Sequence, residues 1–288
     1  MKLIDVVRFA VTGRKRIVSQ GRSIPSLPRQ FQNASQRLLW GVMLFLVSSA
    51  SLAAPFAYIP IPGRGDKVTV IDVATNAIVR TIAVGRSPFG VAADPSGQFV
   101  YVTNQANSVS VIDNASFKVV DTIGVGLAPM GVTVNATATR VYVANRGDNT
   151  VSVIDTATNT VVATVPVGMS PSGVAVNAAG TRAYVTNIGA NTVSVIDTAT
   201  NTVSATITVV LVPMAVAVNP AGARAYVTNI GANTVSVIDT ARNEVIATLP
   251  VAGAPWNVTL NPAGTFVYVS LPENDEVLMR RPDSGDCR

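Results

Sequence analysis

Five aspartates, Asp72, Asp113, Asp155, Asp197 and Asp239, recur at intervals of 41 or 42 residues, and four asparagines, Asn104, Asn145, Asn187 and Asn229, recur with them. Carboxylates could serve acid–base chemistry, and a ring of amide carbonyls could hold a hard cation such as calcium. Recurrence favours another role. A residue present in every copy of a unit does what the unit needs, here an Asp fixing a turn through nearby backbone N–H groups. The asparagines have a similar alternative, an amide bonding the backbone of an adjacent loop. The chain has no histidine, which removes the usual general base of hydrolases, the commonest metal ligand and the usual haem ligand. Cys287 is the single cysteine and is penultimate, leaving no intramolecular disulfide and no thiolate metal cluster. No catalytic residue, metal or cofactor is expected.

The elements that hold these residues come in copies. YVTNIGANTVSVIDTATNTV from Tyr184 returns almost unchanged as YVTNIGANTVSVIDTARNEV from Tyr226, with looser copies from Tyr58, Tyr101, Tyr142 and Tyr268. The tyrosine spacings are 43, 41, 42, 42 and 42 residues, the period of a repeat architecture. Within one unit, runs such as SGVAVN, RAYVTN, TVSVID and TVSATITV are rich in Val, Ile, Thr and Tyr and bounded by Gly, Asn, Asp or Pro, as strands are. Four hairpin-linked strands make one sheet, apolar on both faces, that cannot stand alone. Stacking such sheets around an axis predicts an all-β fold, a β-propeller of four-stranded antiparallel blades. Small residues in the first run of each unit suit the crowded centre. Counting by position gives five first, six second, six third and five fourth strands, 22 in all. That is about six blades, or a shortened seven-bladed wheel. The propeller is placed at residues 54–280, with 281–288 as a disordered tail.

Residues that break the repetition are the informative ones. The position after the loop proline is Phe89, Met130, Ser172, Met214 and Trp256 in successive units. In a propeller, the loop entering the first strand and the loop between the second and third open on one face. Large apolar groups at one mouth of the channel would form a docking surface or plug the channel as ordinary packing. Arg86 and Arg146 belong to the same face and could pair with an anionic group of a ligand, or stand as solvated loop charges.

The repeated YVTN…VSVID…P-x-GVAV pattern, over roughly residues 57–280, resembles the YVTN-repeat β-propeller family, which includes YncE-like proteins of bacterial envelopes and archaeal surface-layer proteins. The resemblance implies a propeller, usually seven-bladed, generally exported and without a demonstrated enzymatic activity. A DNA-binding role is associated with the YncE-like branch.

The first 37 residues hold eight Lys or Arg against Asp5, and Leu38–Val47 (LLWGVMLFLV) is wholly apolar. Ser51-Leu52-Ala53 then suits cleavage before Ala54, so residues 1–53 read as a signal peptide with a long basic region. An uncleaved membrane anchor is the alternative, since the apolar stretch of 17 residues to Ala54 reaches the lower limit for a span. The expected location is periplasmic, secreted or at the cell surface, with membrane contact only if that segment is retained. Residues 54–288 carry 13 Lys or Arg and 15 Asp or Glu, so the chain's basic balance is a property of the leader and nucleic acid is not the expected partner. The function expected is a non-catalytic scaffold that binds a protein or cell-envelope polymer through its loop face. A propeller enzyme of the lactonase or quinoprotein kind is the second reading, and single-stranded DNA binding is the third.

Overall fold

The computed structural model describes residues 56–61 and 65–281. The expected leader and nearly all of the expected tail lie outside these residues. No helix among the described residues is long and apolar enough to cross a membrane.

Twenty-two strands form six antiparallel sheets in chain order. The first sheet holds β1 (Phe56–Ile61), β2 (Lys67–Asp72) and β3 (Ala77–Ala83). The second holds β4 (Pro88–Ala93), β5 (Phe99–Asn104), β6 (Ser108–Asp113) and β7 (Lys118–Gly124). The third runs through β8 (Pro129–Val134), β9 (Arg140–Asn145), β10 (Thr150–Asp155) and β11 (Thr160–Pro166). The fourth comprises β12 (Pro171–Val176), β13 (Arg182–Asn187), β14 (Thr192–Asp197) and β15 (Thr202–Thr208). In the fifth are β16 (Pro213–Val218), β17 (Arg224–Asn229), β18 (Thr234–Asp239) and β19 (Glu244–Pro250). The sixth has β20 (Val258–Leu260), β21 (Val267–Leu271) and β22 (Glu276–Arg280). The arrangement is a six-bladed β-propeller, in which, among the described residues, the first blade has no inner strand and the last no outer one.

Local chemistry sets each hairpin. Asp197 Oδ1 accepts the Ala199 and Thr200 N–H groups at 3.0 Å each, and its counterparts Asp72, Asp113, Asp155 and Asp239 cap the same turn. Asn201, with φ of 54°, follows in the left-handed region, which Asn tolerates better than most residues. Asp113, Asp155, Asp197 and Asp239 are held below the usual carboxylate range chiefly by these hydrogen bonds. The turn role expected of the aspartates is the one they have.

Alternation places the core between blades. In β14, Val193 and Val195 pack with Tyr184 against the fifth blade, whereas Ile196 packs back against the third. Five such apolar clusters join the five consecutive pairs of blades. Among the described residues no cluster joins the sixth blade to the first. Tyr268 in β21 is accordingly half-buried, while Tyr101, Tyr142 and Tyr184 at the same position are fully buried. Burial raises the pKa values of Tyr58, Tyr101, Tyr142 and Tyr268, with Tyr101 pushed up to about 12 and Asp94 adding to the effect.

The inner strands approach most closely. In β4, Pro88 pairs with Asn104 and Val91 with Val102, so Phe89 and Gly90 together oppose Thr103 in a bulge. The Thr103 hydroxyl accepts the Gly90 N–H at 2.8 Å and donates to the carbonyl of Met130 in the next blade at 2.6 Å. Thr186 makes the same clasp to Met214 at 2.9 Å, and Thr228 to Trp256 at 3.2 Å. A Cβ on Gly90 would lie 2.4 Å from that Met130 oxygen, so this pair of blades approaches too closely for a side chain there, whereas the fifth blade has Ala215 at the same position. In the third blade the clasp position is Ala144, which has no hydroxyl to offer.

Candidate binding face

The two sets of loops expected to share a face do so through backbone hydrogen bonds. Arg146 and Gly147, between the second and third strands, donate to the carbonyls of Ala128 and Leu127 in the entering loop at 3.1 and 2.9 Å. Ile188 and Gly189 donate in the same way to Ser170 and Met169, and Ile230 and Gly231 to Val212 and Leu211. Side chains then tie the first five blades in series. Asn149 Oδ1 accepts the Ser170 N–H at 2.8 Å, with Asn107, Asn191 and Asp66 in the same role. The face is therefore a continuous hydrogen-bonded rim and not a set of free loops.

Its recurrent asparagines are turned inward. Asn104, Asn145, Asn187 and Asn229 are buried. Each uses its Nδ2 to donate to two hydroxyls of the third strand, as Asn187 does to Thr192 at 3.0 Å and Ser194 at 2.9 Å. The expected bond to adjacent loop backbone is replaced by this side-chain pair, because the β-ladder places Ser194 beside the amide. The four Oδ1 atoms have no hydrogen-bond partner. They lie within separate blades under residues such as Gly85 and Gly168, whose missing Cβ makes room for the amide.

The residues after the loop prolines occupy the inner-strand bulges. Met130 and Ser172 are buried at 4% and 3% exposure, and Phe89, Met214 and Trp256 are half-buried. Neighbouring members touch: the Ser172 hydroxyl donates to Met214 Sδ at 3.4 Å. Met130 Sδ accepts from Gln105 Nε2 at 3.3 Å. Arg86 and Arg146 are both exposed loop residues.

A second phase-locked position, two residues before the proline, presents more apolar surface. Leu127, Met169 and Leu211 enter consecutive blades and are 51%, 56% and 54% exposed. Gly147, Gly189 and Gly231 lie against them, so close that an added Cβ would meet Leu127 Cβ at 2.8 Å, Met169 Cγ at 3.0 Å and Leu211 Cβ at 3.2 Å. The sequence carried this signal, since G-L-A-P, G-M-S-P and V-L-V-P align in the repeat. Attention to the residue after the proline passes it by.

Where the third blade meets its neighbours the face sinks into an open cleft of about 570 Å³, lined in part by Gln105, Met130, Arg146, Asn149, Met169 and Ser170. Two predicted residues, Met130 and Arg146, come together there. Phe89, Met214, Trp256 and Arg86 are not among its lining residues. Arg146 has no ion pair among the described residues, unlike Arg140 with Asp155 and Arg224 with Asp239.

A solved structure of hydrazine synthase from Kuenenia stuttgartiensis matches 89% of this chain and 99% of its own, with a TM-score of 0.62 and 19% sequence identity. The likeness is one of fold. The chain folds as a β-propeller. No protein-family model matches it, and no curated protein is similar to it. A propeller hosts many unrelated activities, so the chemistry must come from the face itself. That face offers apolar side chains, amides, hydroxyls and one arginine in a cleft. Among the described residues no group of three or more His, Cys, Asp or Glu could hold a metal ion.

Proposed function

We propose that this protein is a non-catalytic propeller scaffold of the YVTN-repeat type that binds a protein or cell-envelope polymer through its loop face. The observation that carries the reading is the arc of Leu127, Met169 and Leu211, each more than half exposed on one rigid rim. Clustered apolar groups on a hydrogen-bonded frame are what a docking surface needs, because little conformational entropy is lost on binding. The absence of histidine from the sequence and the commitment of the recurrent aspartates to turns support a binding role over catalysis. Export is part of the proposal and rests on the basic, apolar and small-residue order of residues 1–53.

The test is a pull-down from envelope extract with the wild-type chain and a Leu127→Ser/Met169→Ser/Leu211→Ser variant, run beside a Phe89→Ala/Met214→Ala/Trp256→Ala variant. Partners captured by the wild type should be lost from the first variant while its thermal midpoint is unchanged. Retention of every partner by both variants would show that the loop face is not the docking surface.

A further inference from the structure

The cleft beside Arg146 is chemically unlike the rest of the loop face. Its walls include the thioethers of Met130 and Met169, and Arg146 is its only charged lining residue. The neighbouring Asp148 does not line it. One Asp148 oxygen accepts the Leu127 N–H at 2.6 Å and lies near Gly126, where an added Cβ would come within 2.6 Å of it. The carboxylate that could neutralise the arginine is thus tied into the rim. Gln105 and Asn149 are also anchored: Gln105 Nε2 donates to Met130 Sδ, and Asn149 Oδ1 accepts from Ser170. A guanidinium with no ion pair stands over a cleft whose other walls are thioether, amide and hydroxyl.

From this charge complementarity we infer that the cleft captures a peptide carboxylate flanked by an apolar side chain. The carboxylate pairs with Arg146, whose planar fork suits two parallel N–H···O bonds. The apolar side chain lies between Met130 and Met169, where flexible, polarizable thioethers adapt to its shape. A cleft of about 570 Å³ fits one or two residues of such a segment. One arginine balances the single charge of a carboxylate but only half that of a phosphate dianion, and an uncharged sugar polymer would not use the cation. The inference rests on the docking reading above and assigns this cleft as the anchor of a protein partner.

Methionine methyl NMR provides the test, because the chain has six methionines and Met279 in β22 is an internal control away from the cleft. The full chain, labelled at methionine methyl carbons, is titrated with N-acetyl-Ala-Leu as the free carboxylate, with its C-terminal amide, and with inorganic phosphate. The carboxylate should shift the Met130 and Met169 signals saturably, leave Met279 still, and bind about tenfold more tightly than the amide. Arg146→Gln should reduce that preference to about onefold, and Arg146→Lys should restore part of it. Equal binding of amide and carboxylate overturns the inference while leaving the docking surface intact. Phosphate producing the same shifts as the carboxylate peptide also overturns it. If neither peptide moves the two signals, the inference falls alone; the docking reading falls only if both pull-down variants keep every partner.

Discussion

Replacing Gly131 by Ala tests how the blades are held together. The added Cβ would lie 2.4 Å from the Ser172 carbonyl oxygen, 3.2 Å from Gly173 Cα and 3.2 Å from the Val174 nitrogen. All three atoms are backbone of the fourth blade, so no flexible side chain can give way. The two inner strands must separate until the oxygen is at least 3.0 Å away. That movement loosens the cluster in which Tyr142, Val151 and Val153 meet Val185 and Ile196. A gap of 0.5–1 Å forfeits roughly a quarter to a half of each van der Waals well, and overpacking of this kind costs about 1–3 kcal/mol. For a domain of this size each kcal/mol moves Tm by about 2–4 °C, so a fall of roughly 2–12 °C is expected. Gly124→Ala is the matched control, because its Cβ would have no atom within 4 Å. It should be neutral or raise stability by up to about 1 kcal/mol through the unfolded chain. Thermal unfolding followed by circular dichroism compares the two variants. If Gly131→Ala melts within about 1 °C of the control, backbone contact between blades does not dictate glycine at this position.

The missing clasp in the third blade can be restored. Ala144→Thr should place a hydroxyl between the Gly131 N–H and the Ser172 carbonyl and add about 1 kcal/mol, read as a higher urea midpoint with unchanged slope. Acid stability follows from the lowered pKa values of Asp113, Asp155, Asp197 and Asp239. A depressed folded pKa means stability present above the unfolded value of 3.8 and lost as pH falls through the folded one. With no histidine in the chain, the thermal midpoint should be flat from about pH 6 to 9 and fall below about pH 4.5; a loss between about pH 6 and 7 would contradict the assignment. Tyr58, Tyr101 and Tyr142 work in the opposite sense. Their raised pKa values give stability that is complete below the unfolded value of 10.0 and is lost as pH rises through the folded one. Tyrosinate absorbance should therefore appear together with unfolding in alkaline titration, and gradual titration of a folded chain would refute the packing.

Much of this molecule is written in local chemistry. The sequence of one unit specifies four strands, because β-branched runs alternate faces and Asp197 and Asn201 fix a hairpin whatever lies beyond it. Repetition then carries the fold class and the count of 22 strands, since each unit needs a copy of itself to cover its apolar faces. The site was legible in part. That Met130 and Arg146 share the loop face followed from strand order; that they line one cleft did not. The exposed arc of Leu127, Met169 and Leu211 was present in the alignment, but its exposure was not. Whether a large apolar residue two positions before a proline is buried or solvent-facing depends on how its loop packs on the neighbouring one, as Leu127 lies against Gly147. The depth of the cleft, the retirement of Asp148 into the rim and the burial of the recurrent asparagines arise between units, from distances that no periodicity contains. Sequence alone determined what repeats, and only tertiary contact decided which repeated positions face solvent, because side-chain burial is a property of neighbouring blades.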